Sequence, residues 1–370
     1  MQHFLKIVGN GQRTARDLTH KEAESAFTLL MNGTASLSQI AAFMAILRIK
    51  EESVEELAAF TRVLRHHCQA THVDLPHLVD ICVPYDGRSR HHSMIPLAAL
   101  IAAAAGTQVA LHGRLGQRTP PKFGVGIGDV LAEMGVPVTN SLGAAADLLR
   151  DESIGVAYVD VAQFAPALER FNEVRFEYGM RSFFNTIEKL INPFNAPNGI
   201  IGVFHGPVLE RIAIAMQAQG YRRGLAVQGS EGAIDVLTSR RTPLIEFGMT
   251  GGLHSWTVDP DDFGWWDRSD DAEVSINAAA NAALTRQLIE QAPITPAMMS
   301  FQRMALLTAA LIIYVSGKEP TFGAALNAAL SAFNRREIAQ RLARWQAWAQ
   351  ANQSTVSIPA SPSVEKSHVR

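Results

Sequence analysis

Three stretches of the chain concentrate side chains able to hold an anion. The first, Pro84-Tyr85-Asp86-Gly87-Arg88-Ser89-Arg90-His91-His92-Ser93, sets two arginines and two histidines ahead of a helix that begins near Ile95-Pro96. Guanidinium forks and the orphan N–H groups of a helix start both favour phosphate or carboxylate. Asp86, Gly87, Arg88, Arg90 and Ser93 therefore read as one side of an anion site, the alternative being a solvated charged turn with Ser93 as N-cap. The second stretch, Leu111-His112-Gly113-Arg114 through Arg118 to Lys122-Phe123-Gly124, adds three cations on a glycine-containing loop suited to a polyanion. A lone His112 is more often structural than catalytic. Gly124-x-Gly126-x-Gly128 is not a dinucleotide fingerprint, because no strand directly precedes it.

The third stretch, Gly229-Ser230-Glu231-Gly232, brings one carboxylate. Glu231 with Asp86 as a second oxygen ligand would suit Mg²⁺, which commonly uses one or two carboxylates, although an Asp-Gly pair is more often simply a turn. Arg181, within Tyr178-Gly-Met-Arg-Ser-Phe-Phe-Asn185, adds a further guanidinium. No residue is assigned as a covalent nucleophile or general base.

The elements that position these loops follow from pattern. Residues 1–72 read as helices: Thr19-His-Lys-Glu22 and Ser53-Val-Glu-Glu56 fit the capping box, and Ile40, Phe43, Met44, Ile46 and Leu47 form an apolar stripe at helical spacing that must pack on something. A helical cap or a homodimer surface is the expected use. From about residue 77, short β-rich runs alternate with Ala-rich helices: Leu78–Val83, Gln108–Leu111, Val156–Val159, Ile200–Phe204 and Leu225–Gln228 are the expected strands. Such alternation predicts a mainly parallel sheet with helical crossovers, whose ligands sit at the strands' carboxyl ends. The expected division is a helical domain at 1–72 joined by about 163–190, an α/β domain at 73–162 and 191–350, and a disordered tail at 351–370.

Composition sets the outer bounds. The 370 residues are 47% apolar and 18% charged, with 33 Lys+Arg against 35 Asp+Glu, a formal net charge of −2. That profile excludes collagen, disorder and a disulfide mini-domain, and provides no global attraction for nucleic acid or anionic membrane. Cys68 and Cys82 form no metal or disulfide framework, so a cytoplasmic location is expected. The N-terminus lacks a signal-peptide core, and Leu97–Ala105 and Ala305–Val315 are expected to be buried helices too short to span a bilayer.

The order of these segments resembles the anthranilate phosphoribosyltransferase family, in particular a second, divergent bacterial branch of it. Leu37–Lys50 is similar to the family's N-terminal helix, Val79-Asp-Ile81 to the strand before its phosphate loop, and His112-Gly113 to its His-Gly turn. Gly179-Met-Arg-Ser-Phe-Phe-Asn185 resembles the segment that supplies an arginine to the acceptor's carboxylate. The departures fall in the donor loop. The family's Gly-Thr-Gly-Gly-Asp corresponds to Cys82-Val83-Pro84-Tyr85-Asp86, its Asn-Ile-Ser-Thr to Ser93-Met-Ile-Pro96, and its paired Asp-Glu to Ser230-Glu231. Proline removes a backbone donor and Tyr85 adds bulk.

The resemblance implies two domains and a phosphorylated sugar donor, with Mg²⁺ at Glu231 and Asp86. It also implies donor contacts from Asp86, Gly87, Arg88, Arg90, Ser93, His112, Gly113, Arg114 and Lys122, and acceptor contact from Arg181. Two readings compete. One is a divergent glycosyltransferase acting on an acidic or aromatic acceptor. The other is a dimeric nucleic-acid binder using Arg88, Arg90, Arg114, Arg118, Lys122 and the helix Arg335–Arg344. Trp265-Trp266 and Trp345/Trp348 could stack nucleobases, but aromatic pairs of this kind are more often core or interface.

Overall fold

A computed structural model describes residues 1–352 and 356–357, apart from 12, 117–121, 137, 140, 249–250, 269–275, 291–294 and 335–336. The first 66 residues form the helices Gln2–Gly9, His20–Met31, Leu37–Lys50 and Val54–His66. Capping boxes start the last three, from Thr19, Ser36 and Ser53. The stripe on Leu37–Lys50 does not face outward as an exposed dimer surface would. Ile40, Phe43, Met44 and Leu47 are buried within the chain itself. Their partners include residues from far along the sequence: Phe183 stacks on Phe184 and lies within 6 Å of Phe27, Phe43 and Phe60, so the helical insert completes the bundle's core.

The α/β part is built on a nine-stranded sheet among the described residues. In chain order the strands are β1 (Val79–Cys82), β2 (Val109–Gly113), β3 (Val138–Thr139), β4 (Val156–Asp160), β5 (Asn198–Gly202), β6 (Arg223–Val227), β7 (Thr242–Phe247), β8 (Leu253–Val258) and β9 (Val356–Ser357). Their spatial order is β8-β7-β6-β5-β1-β2-β4-β3-β9. From β6 to β3 the pairing is parallel, as expected of buried strands joined by helical crossovers. Two strands beyond those expected from sequence, β7 and β8, extend the sheet past β6 with antiparallel pairing. The two-residue β9 pairs with β3 inside the stretch expected to be a structureless tail; the remainder of that stretch lies outside the described residues.

Helices Ile95–Ala104 and Pro296–Val315 form the apolar layer against the sheet. The latter has 20 residues and a mean hydropathy of 1.5, longer than the apolar run read from sequence and sufficient by those measures to cross a membrane, yet 78% of its apolar window is buried inside the fold. It is a core helix. Trp345 is fully buried as well, and Arg341 on the same helix donates to the carbonyls of Glu152 and Ile154. That helix is therefore a packed element with one inward-facing arginine; Arg335 and Arg336 lie outside the described residues.

Candidate functional site

The sheet changes direction at β1. The chain passes from β1 to β2 on one side and later returns to β5 on the other, which opens a crevice at the carboxyl ends of these strands. A cavity of about 240 Å³ lies there, between the sheet edge and the helical bundle. Asp86 reaches it from the loop after β1, Phe204 from the loop after β5, and Glu231 from the loop after β6. Arg48 comes from the bundle, and Arg181 and Lys189 from the helical insert.

Local chemistry explains Arg181. The helix Asn172–Tyr178 ends at Gly179, whose φ of +65° turns the chain in a left-handed cap that glycine adopts without strain. Phe183 and Phe184 then anchor the following residues in the bundle, and Arg48 donates to the Arg181 carbonyl at 2.8 Å. The guanidinium left between these anchors donates to Asp86 at 2.7 Å. It also sits 5.4 Å from the centre of the Phe204 ring, which Arg90 and Lys122 flank at 5.8 Å each. Three cations around one partly exposed ring are within reach of cation–π attraction.

The two basic loops are tied together by backbone. Arg88 N–H donates to Val125 O at 2.9 Å, Val125 N–H to Arg88 O at 2.8 Å, and Gly124 N–H to Asp86 O at 2.8 Å. Gly87 makes the approach possible: its φ is +71°, and a Cβ there would lie 2.3 Å from Gly124 O. This pairing turns the Arg88 side chain inward, where it bonds Asp235 and Ser230. Ser93 Oγ also donates to Asp235, at 3.1 Å.

Four residues expected to contact a donor are thus committed to the interior. Arg88 and Ser93 are 2% and 1% exposed, and Arg114 is 5% exposed and paired with Glu169 at 2.7 Å. His112 is fully buried, with Nδ1 3.0 Å from the Tyr85 hydroxyl and Nε2 3.5 Å from Asp80. Burial lowers the imidazole's pKa, but Cys82 and the Asp80 carboxylate outweigh it and hold the ring up at about 10. Gly113 is required by packing, since a Cβ there would meet Val83 at 2.4 Å. Tyr85 likewise points into the core rather than into the loop's concavity. The arginine cluster of the nucleic-acid reading loses Arg88 and Arg114 to the interior, while Arg118 lies outside the described residues.

The Glu231 carboxylate is held by the loop that follows β1. Its Oε1 accepts from the N–H groups of Arg90 (3.0 Å) and His91 (3.1 Å), and its Oε2 from Ser89 N–H (3.1 Å) and Ser89 Oγ (3.3 Å). Lys122 Nζ lies 3.4 Å from the carboxylate and donates to the Glu231 carbonyl at 2.8 Å. Burial would raise this group's pKa, but the bonds from the 89–91 loop and the nearby Arg88 charge hold it well below the usual carboxylate range. Among the described residues, no three His, Cys, Asp or Glu side chains converge as a metal set.

Lys189 and Phe204 were not singled out as site residues from sequence. Lys189 Nζ donates to Gly202 O at 2.8 Å and Gly232 O at 3.0 Å, clamping the loops after β5 and β6; burial lowers its pKa to about 8. The available signal was a Glu-Lys pair inside the apolar run Ile187–Ile191. Its glutamate, Glu188, pairs with buried Arg175.

Residues 2–68 match the helical bundle domain of a glycosyl transferase family, and residues 89–335 match its α/β domain. Over 331 residues the chain is 30% identical to an anthranilate phosphoribosyltransferase of Herpetosiphon aurantiacus, covering 89% of this chain and 94% of that one. The enzyme of the same description from Chloroflexus aggregans is 30% identical over 329 residues, with the same coverage. Among solved structures, the anthranilate phosphoribosyltransferase of Thermus thermophilus superposes with a TM-score of 0.79 at 27% identity, covering 95% of this chain and all of that one. A Saccharomyces cerevisiae enzyme solved in complex with PRPP and Mg shares the fold, with a TM-score of 0.78 at 16% identity over 95% of this chain and 98% of that one.

Proposed function

The chain belongs to the anthranilate phosphoribosyltransferase family, glycosyl transferases with a helical bundle and an α/β domain, and from that membership we propose that it moves a phosphoribosyl group from a diphosphate sugar to an acidic or aromatic acceptor. The observation that carries the proposal is Arg181, held by its anchors at the mouth of a cavity at the sheet's switch point. A guanidinium there suits the acceptor's carboxylate, and Arg90, Lys122 and Lys189 supply positive charge on the donor side. In the transfer, the bond from the anomeric carbon to the diphosphate oxygen breaks, a bond to the acceptor nitrogen forms, and the nitrogen's proton passes to solvent. The diphosphate then departs. Such a reaction needs positioning and stabilisation of developing negative charge rather than a covalent nucleophile.

Magnesium, which the yeast relative's structure contains together with the sugar diphosphate, would neutralise the leaving diphosphate. In the arrangement seen here the carboxylates nearest that role, Asp86 and Glu231, are bound to Arg181 and to the 89–91 loop, so no step is assigned to a protein-held ion. Turnover with anthranilate itself is expected to be slow, because Pro84 and Tyr85 stand where the family has glycines whose amides approach the diphosphate.

Calorimetric titration with phosphoribosyl diphosphate and Mg²⁺, beside a single-stranded oligonucleotide at two salt concentrations, tests the reading, followed by a product assay with aromatic amino acids as acceptors. Donor binding is expected, with the acceptor KM raised about tenfold in Arg181→Ala, the effect of losing one charged hydrogen bond. Steeply salt-sensitive oligonucleotide binding with no donor signal would reverse the assignment in favour of a nucleic-acid role.

A further inference from the structure

The bundle side of the cavity carries two charges that the transfer itself does not use. The helix Leu37–Lys50 stops at Glu51, whose φ of +64° turns the chain out of the helix. Residues four apart on a helix face one another, but this turn separates Arg48 from Glu52. Both line the cavity, and among the described residues neither has an ion-pair partner. Arg48 uses one N–H on the Arg181 carbonyl, and the Glu52 carboxylate is bonded by its own amide. Arg211, the cation that acts most on Glu52, has its N–H groups on the Glu51 carboxylate at 2.9 Å and on the Glu52 carbonyl at 3.0 Å. Burial consequently leaves the Glu52 carboxyl with a pKa above its ordinary value.

A third group is incomplete at the same place. Tyr178 ends the helix before Gly179, and its hydroxyl is buried without a hydrogen-bond partner. The charges of Arg48 and Glu52 both act on that hydroxyl, so the three groups surround one point. An unpaired buried hydroxyl is destabilising, and a polar group brought to that point relieves it. Leu57, Val208 and Ile212 line the same cavity and supply an apolar wall.

Two opposite charges without partners select against simple ligands. A plain carboxylate satisfies only Arg48, and a plain amine satisfies only Glu52. A zwitterion satisfies both, and an apolar remainder on it suits the wall. We infer that the bundle side of the cavity binds a free α-amino acid with an apolar or aromatic side chain, its carboxylate on Arg48, next to Arg181, and its ammonium on Glu52 and the Tyr178 hydroxyl. The inference deepens the transferase reading by giving the acceptor side a ligand class, and it rests on that reading for the ligand's role as acceptor. Its test needs neither donor nor turnover. Amino-acid binding in a protein that shows no phosphoribosyl diphosphate signal would sink the transferase reading and leave this site standing.

The experiment is calorimetric titration of the full chain with L-phenylalanine, beside phenylpropanoate, which lacks the ammonium, and phenethylamine, which lacks the carboxylate. L-Phenylalanine is expected to bind at least about tenfold more tightly than either control, the scale of one charged hydrogen bond. Glu52→Gln should abolish the preference over phenylpropanoate and keep that over phenethylamine, and Arg48→Met should do the reverse. Thermal unfolding first establishes that both variants are folded. Arg48 is exposed, so its variant keeps the test decisive if Glu52→Gln does not fold. Equal binding of L-phenylalanine and either control would overturn the inference, as would no binding of L-phenylalanine at millimolar concentration or preferences unchanged in the folded variants.

Discussion

Asp235 carries no exposed surface, and its carboxylate is satisfied by Arg88, by Ser93 Oγ at 3.1 Å and by Met94 N–H at 2.6 Å. Removing one partner from such a pair leaves a buried charge without its counter-ion, which typically costs about 3–5 kcal/mol. Arg88→Ala should therefore lower the urea midpoint by an amount corresponding to that loss. A shift below about 1 kcal/mol, the scale of a surface pair, would mean that Arg88 is available to a ligand after all. Arg88 and Arg90 are separated by one residue and have opposite fates. The backbone bridge to Val125 turns the first inward and leaves the second at the rim.

The bridged loops are the element on which the site depends. Residues 84–93 and 122–126 follow different strands, yet they are joined because Arg88 and Val125 exchange both backbone hydrogen bonds. Gly87→Ala forces a Cβ to within 2.3 Å of the Gly124 carbonyl at a positive φ, so the loops must separate. The expected outcome is loss of amide-exchange protection at Arg88 and Val125 with pyrophosphate binding reduced in parallel. Retained protection at both amides would show that the loops tolerate the side chain and are not a rigid unit. The helical insert is a second positioning element. Its phenylalanines belong to the bundle's core while its Arg181 and Lys189 face the cavity, so bundle packing and site geometry are coupled through a few residues.

For the whole molecule, the apolar stripe of Leu37–Lys50 is consumed by the chain's own core, but Leu37 and Ile49 on the same helix are 48% and 85% exposed. These two residues, not the stripe, are the candidates for the homodimer contact proposed for the N-terminal helices, since large apolar side chains at that exposure suit an interface. Light scattering should give a mass near twice 40.2 kDa, and Ile49→Lys should shift it toward that of the single chain. A natural protein of single-chain mass would rule out this contact.

The amino-acid pattern by itself determined the alternation of β1, β2, β4, β5 and β6 with their helices, because fully buried parallel strands are short apolar runs and their crossovers are Ala-rich. It determined the capped helices of the bundle for the same local reason, since a capping box is written within four residues. It also brought the loops carrying Asp86, Lys122 and Glu231 to one sheet edge. Tertiary structure alone decided which charges face the cavity. Arg88 and Arg114 have the same chemistry as Arg90, but they are buried against Asp235 and Glu169, as His112 is beside Asp80, whereas Arg90 stays 60% exposed although it too lies near a distant carboxylate, Glu231. Lys189 entered the site, and Glu231 entered the nest of residues 89–91, through contacts across 43 and about 140 residues. No local pattern encodes such distances, because a buried charge is placed by whichever distant carboxylate, carbonyl or amide satisfies it.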